Sequence, residues 1–262
     1  MTDRATAARV IEVFSAIQGE GPIVGTRQLF VRFAQCDLRC DYCDSDRTWL
    51  APDTCEIEQT PGLRDFVTES NPVPLDRLLA WVQRLDRPNL HDSISLTGGE
   101  PLLHSPFLQQ FLPALKAVCT LPIYLETGGH RPQQLEPLLP WIDWVGMDLK
   151  LPSVSGETHW AAHEQMLRLC VEAQKWVFVK AIVSESTTLE DLTRSAELVS
   201  AVDPHLVYVM QPVSPLPAPI KPDRQPPQPP TPAQVLHWQQ HLKQWLPQTI
   251  VIPQTHKAIG QL

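Results

Sequence analysis

The 262-residue chain contains no run of about 18 apolar residues, and Met1 is not followed by a basic and then apolar segment, so neither a membrane-spanning helix nor a secretory leader is read from it. It also lacks a block of basic residues: 21 Lys and Arg stand against 29 Asp and Glu, a formal charge of −8. A nucleic-acid binder would carry a basic stripe, so that class is excluded. Six cysteines do not make a disulfide framework in a chain this long, and Cys55, Cys119 and Cys170 are scattered as structural thiols are. The expectation is a soluble, cytoplasmic protein with no nucleic-acid or membrane partner. A chain of this length can bury a sizeable core and is most simply one domain over 1–262.

The other three cysteines fall within eight residues, Cys36-Asp37-Leu38-Arg39-Cys40-Asp41-Tyr42-Cys43, in the pattern C-x3-C-x2-C. Their i, i+4, i+7 spacing would also form one buried face of a helix, and free Cys packs well as a small hydrophobe. Against a helix, the apolar residues 29–34 just before read as a strand, and three charges lie between the cysteines. A zinc site with a fourth ligand elsewhere stays open. A [4Fe–4S] cluster is normally held by four thiolates; held by three, it leaves one iron free for a small molecule. That arrangement suits S-adenosylmethionine, bound through its amino and carboxylate groups and cleaved to a 5′-deoxyadenosyl radical.

Along the chain, residues 10–14 alternate as a strand and give way to a turn at 18–21. Residues 46–74 are polar and broken by Pro52, Pro61, Pro72 and Pro74, and read as a long loop or insertion. From there helices at 75–85, 106–118 (with a kink or a late start at Pro113), 133–139, 159–173, 189–202 and 232–246 alternate with strands at 93–97, 122–126, 144–148, 176–183, 206–210 and 249–252. Alternation of this kind argues for an α/β fold of parallel β-α units, whose strand C-termini carry the chemistry. Ten prolines among residues 212–232 predict an extended surface loop.

Polar groups do follow the strands. Gly98-Gly99-Glu100-Pro101 offers close backbone approach and a carboxylate acceptor for an ammonium. Glu126-Thr127 has the groups to hold a ribose or a substrate edge, or Glu126 simply pairs with Lys180. Asp148, Lys150 and Ser153 end another strand, and Gln211 with Pro212 a further one.

The cysteine pattern resembles that of radical S-adenosylmethionine enzymes, and Phe14-Ser15-Ala16-Ile17-Gln18-Gly19-Glu20-Gly21 ahead of it resembles the N-terminus of the 7-carboxy-7-deazaguanine synthase family. The resemblance implies a partial, open (β/α) barrel. It implies that Cys36, Cys40 and Cys43 hold the [4Fe–4S] cluster, and that Gly98, Gly99, Glu100, Glu126, Lys150, Ser153 and Gln211 bind S-adenosylmethionine. Ser45, where the family carries Thr, would help hold Mg²⁺. Gln18, Gly19, Glu20, Arg27, Thr97, Thr127 and His256 would hold 6-carboxy-5,6,7,8-tetrahydropterin, the Gln and Glu reading its donor–acceptor edge and an Arg fork its carboxylate. The implied reaction is conversion to 7-carboxy-7-deazaguanine with loss of ammonia, in deazapurine (queuosine) biosynthesis. A flavodoxin- or ferredoxin-type reductant and a homodimer come with it. Two other functions remain open from sequence: an activase that makes a glycyl radical on a partner protein, and a zinc-stabilised binding protein.

Overall fold

Apolar alternation at the start of the chain builds a sheet at once. In the computed structural model, which describes residues 6–216, 223 and 225–261, β1 (Ala7–Ala8) and β2 (Val10–Ile17) lead into β3 (Arg27–Phe33). After an irregular cysteine-bearing loop come β4 (Thr54–Glu58), β5 (Phe66–Ser70) and β6 (Val73–Pro74), and then α1 (Leu75–Leu85). Strand and helix alternate from there: β7 (Ser93–Gly98), α2 (Ser105–Val118), β8 (Ile123–Thr127), α3 (Pro132–Leu135), β9 (Trp144–Asp148), α4 (Pro152–Ser155), α5 (Trp160–Glu172) and β10 (Trp176–Val183). The chain closes with α6 (Leu189–Val202), β11 (Val207–Pro212), α7 (Pro232–Leu242), β12 (Thr249–Val251) and α8 (Thr255–Ala258).

Ten strands form one sheet in the order β12-β11-β10-β9-β8-β7-β3-β2-β4-β5. From β12 to β3 every neighbour is parallel; β2 runs antiparallel to β3, and β5 to β4. The strand order is linear, so the sheet is open, as the family resemblance implied. Strand periodicity then sorts the side chains. Leu29, Val31 and Phe33 of β3 join Ile94, Leu96, Leu125, Val145 and Val179 in the main core, together with Phe107, Phe111 and Leu167 of the helices. The opposite, inner face is layered. Tyr124, Phe178 and Val209 pack as an apolar floor. Two residues further on, Glu126, Asp148, Lys180 and Gln211 form a polar layer at the strand C-termini. The floor closes only because two positions lack side chains. A Cβ on Gly146 would meet the Tyr124 hydroxyl at 2.3 Å, and one on Gly21, at φ +68°, the Phe178 ring at 2.5 Å.

The reading of 46–74 as loop is corrected. Thr54–Glu58 and Phe66–Ser70 pair as a hairpin that extends the sheet beyond β2. Its polarity hid it, because the hairpin satisfies its acid internally. Glu58, fully buried, accepts from the backbone N–H groups of Ser15 at 2.8 Å, Gly62 at 3.0 Å and Arg64 at 2.9 Å. Pro52, Pro61, Pro72 and Pro74 all lie outside the β4–β5 ladder. The helix carrying Pro113 starts at Ser105, one residue earlier than expected and not late, and α7 ends at Leu242. Of the proline-rich stretch 212–232, residues 217–222 and 224 lie outside the described residues.

Candidate active site

A cavity of about 690 Å³ opens over the polar layer, walled by the cysteine loop, the strand C-termini and the C-terminal segment. Of the residues singled out from sequence, Gln18, Gly19, Glu20, Cys36, Cys40, Cys43, Ser45, Thr97, Gly98, Gly99, Glu100, Glu126, Thr127, Lys150, Gln211 and His256 all line it. Arg27 and Ser153 do not.

The cysteine loop leaves β3 and is pinned to the end of β7. Gly99 N–H donates to the Phe33 carbonyl at 3.1 Å, and Glu100 N–H to that of Gln35 at 2.8 Å. This approach requires both glycines. A Cβ on Gly98, whose φ is +132°, would lie 2.2 Å from the Phe33 carbonyl oxygen; one on Gly99 would lie 2.1 Å from that of Gln35 and 3.0 Å from Cys36 Cβ. On its outer side, Asp41 N–H donates to the Ser155 carbonyl at 3.1 Å, Arg39 N–H to Glu157 Oε1 at 2.7 Å, and Arg131 pairs with Asp37 at 2.6 Å.

All six cysteines are free thiols; Cys40 is buried, Cys36 and Cys43 half-buried. Among the described residues no three Cys, His, Asp or Glu side chains are already gathered to hold a metal ion. The three thiols share a cavity wall, and burial pushes Cys36 up to about 12 and Cys43 up to about 11. Iron displaces thiol protons when it binds, and three soft donors on one loop suit a cluster with an open iron. Lys150, paired with Asp148 at 2.7 Å and 5.5 Å from the Tyr42 ring centroid, is a buried cation that lines the same cavity. Opposite, Gln211 is buried and its Oε1 has no hydrogen-bond partner. An orphaned acceptor facing a cavity fits a ligand that brings a donor, such as an adenine amino group. The residues present therefore fit a [4Fe–4S] cluster with S-adenosylmethionine.

Glu100 is fully buried and turned into the protein. Its carboxylate accepts from Leu102 N–H at 3.0 Å, Gly128 N–H at 2.8 Å and Thr127 Oγ1 at 2.9 Å, and burial pushes its pKa up. Glu100 thus shapes the turn, and the groups the turn presents to the cavity are mostly backbone. Glu126 does not pair directly with Lys180; its Oε1 accepts from Ser95 Oγ at 2.7 Å and Gln18 Nε2 at 3.1 Å, and burial raises its pKa. Ser153 stands aside: its N–H donates to Asp191 Oδ2 at 2.7 Å and its Oγ accepts from Thr188 N–H at 3.4 Å, both at the start of α6.

On the other side of the cavity, Gln18 Oε1 accepts from Glu20 N–H at 3.0 Å. Glu20 is held by Lys180 and, at 2.7 Å, by Gln254 Nε2. His256 lies against Gly19, where a Cβ would sit 2.0 Å from its Nδ1. Ser45 Oγ donates to Asp44 Oδ1 at 3.1 Å; Asp44 also accepts from Lys257 at 2.7 Å and Gln254 at 2.9 Å, and despite its burial these contacts hold its pKa down to about 2.

Arg27 is the clearest misplacement. It shares strand parity with Leu29, Val31 and Phe33, so it points away from the cavity, donating to Ser15 Oγ at 2.9 Å and to the Pro61 carbonyl at 3.0 Å. Arg32, with the parity of Phe30, reaches the cavity and pairs with Glu12 at 2.7 Å; Arg47 reaches both from the loop. Period-two counting from the core residues of β3 was the signal that would have found Arg32. Lys180 was legible as the one charge in an apolar strand, and Asp44 and Lys257 only as neighbours of Ser45 and His256 in the family resemblance; Gln254 carried no signal of its own.

Residues 30–197 match the Radical SAM superfamily. The chain is 42% identical over 260 residues to the 7-carboxy-7-deazaguanine synthase of Geobacter sulfurreducens, covering 97% of this chain and 98% of that one. It is 31% identical over 271 residues to the enzyme of the same name from Methanothermobacter thermautotrophicus, covering 97% of each. In fold it is similar to QueE from Escherichia coli, with a TM-score of 0.50, 21% identity, and 79% and 85% of the two chains covered. A radical SAM methyltransferase from Sphaerobacter thermophilus gives 0.59, with 14% identity over 93% and 77%.

Proposed function

Because the chain belongs to the 7-carboxy-7-deazaguanine synthase family of radical S-adenosylmethionine enzymes, we propose that it converts 6-carboxy-5,6,7,8-tetrahydropterin to 7-carboxy-7-deazaguanine and ammonia. Substrate and products balance in atoms and electrons, so no external oxidant is consumed. The observation that carries the reading is the single cavity that unites the cysteine loop with Gln18, Glu20 and Arg32. The bound cluster and S-adenosylmethionine supply hydrogen-atom abstraction and return. The chain's own residues bind and orient.

Cys36, Cys40 and Cys43 are the cluster ligands in this reading. The Gly98–Gly99 backbone, Lys150 and Gln211 hold S-adenosylmethionine, with Glu100 fixing the turn and Glu126 supporting the floor of the site. Gln18 and Glu20 read the amino-pyrimidinone edge of the pterin. The cation for its carboxylate is Arg32, which lines the cavity, and not Arg27. Thr97, Thr127 and His256 complete the pocket. Ser45 would offer one hard oxygen to Mg²⁺, a partial site that water and substrate would have to complete. A homodimer, an electron-donating flavodoxin or ferredoxin, one domain and a cytoplasmic location belong to the same reading. Among the described residues no helix is long and apolar enough to cross a membrane.

The test is anaerobic reconstitution, reduction, and quantitation of ammonia and deazapurine from the pterin. Equal amounts of both are expected, and neither from Cys40→Ala. Cleavage of S-adenosylmethionine that ignores the pterin would reject the assignment in favour of a different radical substrate.

A further inference from the structure

Lys180 is the one charge in Trp176–Val183, and its side chain is 12% exposed. Lysine is almost never buried unless paired, and a buried ion pair is weak evidence of stabilisation, because apolar residues of similar volume often serve a core as well. The layer beneath shows that apolar solution, with Phe178 of the same strand face packed on Tyr124 and Val209. Packing alone did not call for a charge at position 180.

Its contacts are specific. Nζ donates to Glu20 Oε2 and pairs with Asp148 Oδ1 at 3.0 Å. Gln254 Nε2 donates to the other oxygen of Glu20, Oε1, at 2.7 Å. Glu20 sits in a turn with no strand or helix of its own, so these two donors decide where its carboxylate points. A carboxylate has about two acceptor sites on each oxygen. Lys180 and Gln254 take one apiece, leaving one on each oxygen. That remaining pair matches the paired N–H donors of a 2-amino-4-oxopyrimidine ring. On its other side Asp148 bonds Lys150 at 2.7 Å, which lies beside Tyr42 of the cysteine loop.

We propose that Lys180 is a positioning residue for substrate recognition, orienting the Glu20 carboxylate toward the amino-pyrimidinone edge of the pterin and, through Asp148 and Lys150, setting that edge relative to the cluster loop. This rests on the pterin reading above. The surrounding charges agree with it. Burial and the Asp44 and Asp148 carboxylates push Glu20 toward protonation, yet with Lys180 beside it its pKa lies below the usual carboxylate range.

The experiment is a double-mutant cycle on the reconstituted holoenzyme, with pterin affinity by anaerobic calorimetry and steady-state KM and kcat. Lys180→Met should raise KM by about 10- to 100-fold, the range for losing a charge-assisted contact, with a smaller change in kcat. Lys180→Arg should recover most of it. In a Glu20→Gln background the same Lys180→Met change should move KM by less than about twofold, since coupling exists only between interacting groups. Gln254→Met releases the other oxygen of Glu20 and should raise KM in the same direction even if Lys180→Met does not fold. Lys180 and Gln254 effects that are equal in both backgrounds, or that fall on kcat alone, overturn the role. A wild-type enzyme that does not bind the pterin overturns the functional reading itself, and the role with it.

Discussion

The close approach of β7 to the cysteine loop makes Gly99→Ala a sharp perturbation. The new Cβ would lie 2.1 Å from the Gln35 carbonyl oxygen and 3.0 Å from Cys36 Cβ. The nearer atom is backbone, so no side chain can rotate out of the way, and the strands must separate by about 1 Å to reach ordinary contact. Separation breaks or strains the bonds from Gly99 N–H to Phe33 and from Glu100 N–H to Gln35, 3.1 and 2.8 Å long. At roughly 1 kcal/mol for each bond, and more for a buried group left unpaired, the loss is about 2–4 kcal/mol. It falls where Cys36 begins the loop, so cluster assembly should suffer along with stability. Iron and sulfide per chain after reconstitution, and urea unfolding of the apoprotein, measure the two. We expect iron below half of wild type and a lowered urea midpoint. Wild-type iron with an unchanged midpoint would refute the argument that this contact seats the loop.

Other predictions follow from individual residues. Arg32→Ala should raise the pterin KM by about 10-fold or more, whereas Arg27→Ala should leave KM unchanged and cost about 1–2 kcal/mol in urea unfolding through its lost bonds to Ser15 and Pro61; the reverse pattern would contradict the strand parity. Cys40→Ala should lose the brown chromophore and turnover together, and a variant retaining both would remove Cys40 from the ligand set. His163 is fully buried, and burial lowers its pKa to about 3. Its unfolded form therefore takes up a proton that the folded form refuses. Stability is fully present above about pH 6.5 and falls by about 1.4 kcal/mol per unit as pH drops toward 3. His163→Gln should flatten this acid slope in urea titrations at pH 5 and 7; an unchanged slope would assign it to other groups.

The parallel core of the fold was legible because its strands are apolar runs between amphipathic helices: 75–85, 144–148, 176–183 and 189–202 match the observed elements end to end. The β4–β5 hairpin was not, because its Thr, Glu and Asp content reads as loop until the backbone groups that satisfy Glu58 are seen. The cysteines and the Gly98–Gly99 turn that meet at the cavity wall were legible from local spacing, which survives without tertiary information. Arg27 is the arginine nearer to Glu20 in sequence, but strand parity points to Arg32. Gln254 and Lys257 meet Asp44 across more than 200 residues of sequence, and no local pattern announces such a contact.

The central claim is that one cavity brings a radical-generating centre to a pterin. Its most direct test is the number of deazapurine molecules formed per S-adenosylmethionine consumed by the reduced enzyme with 6-carboxytetrahydropterin. Many 7-carboxy-7-deazaguanine molecules per cofactor are predicted, because the hydrogen taken from substrate is returned. Cofactor cleaved without any deazapurine would contradict the account.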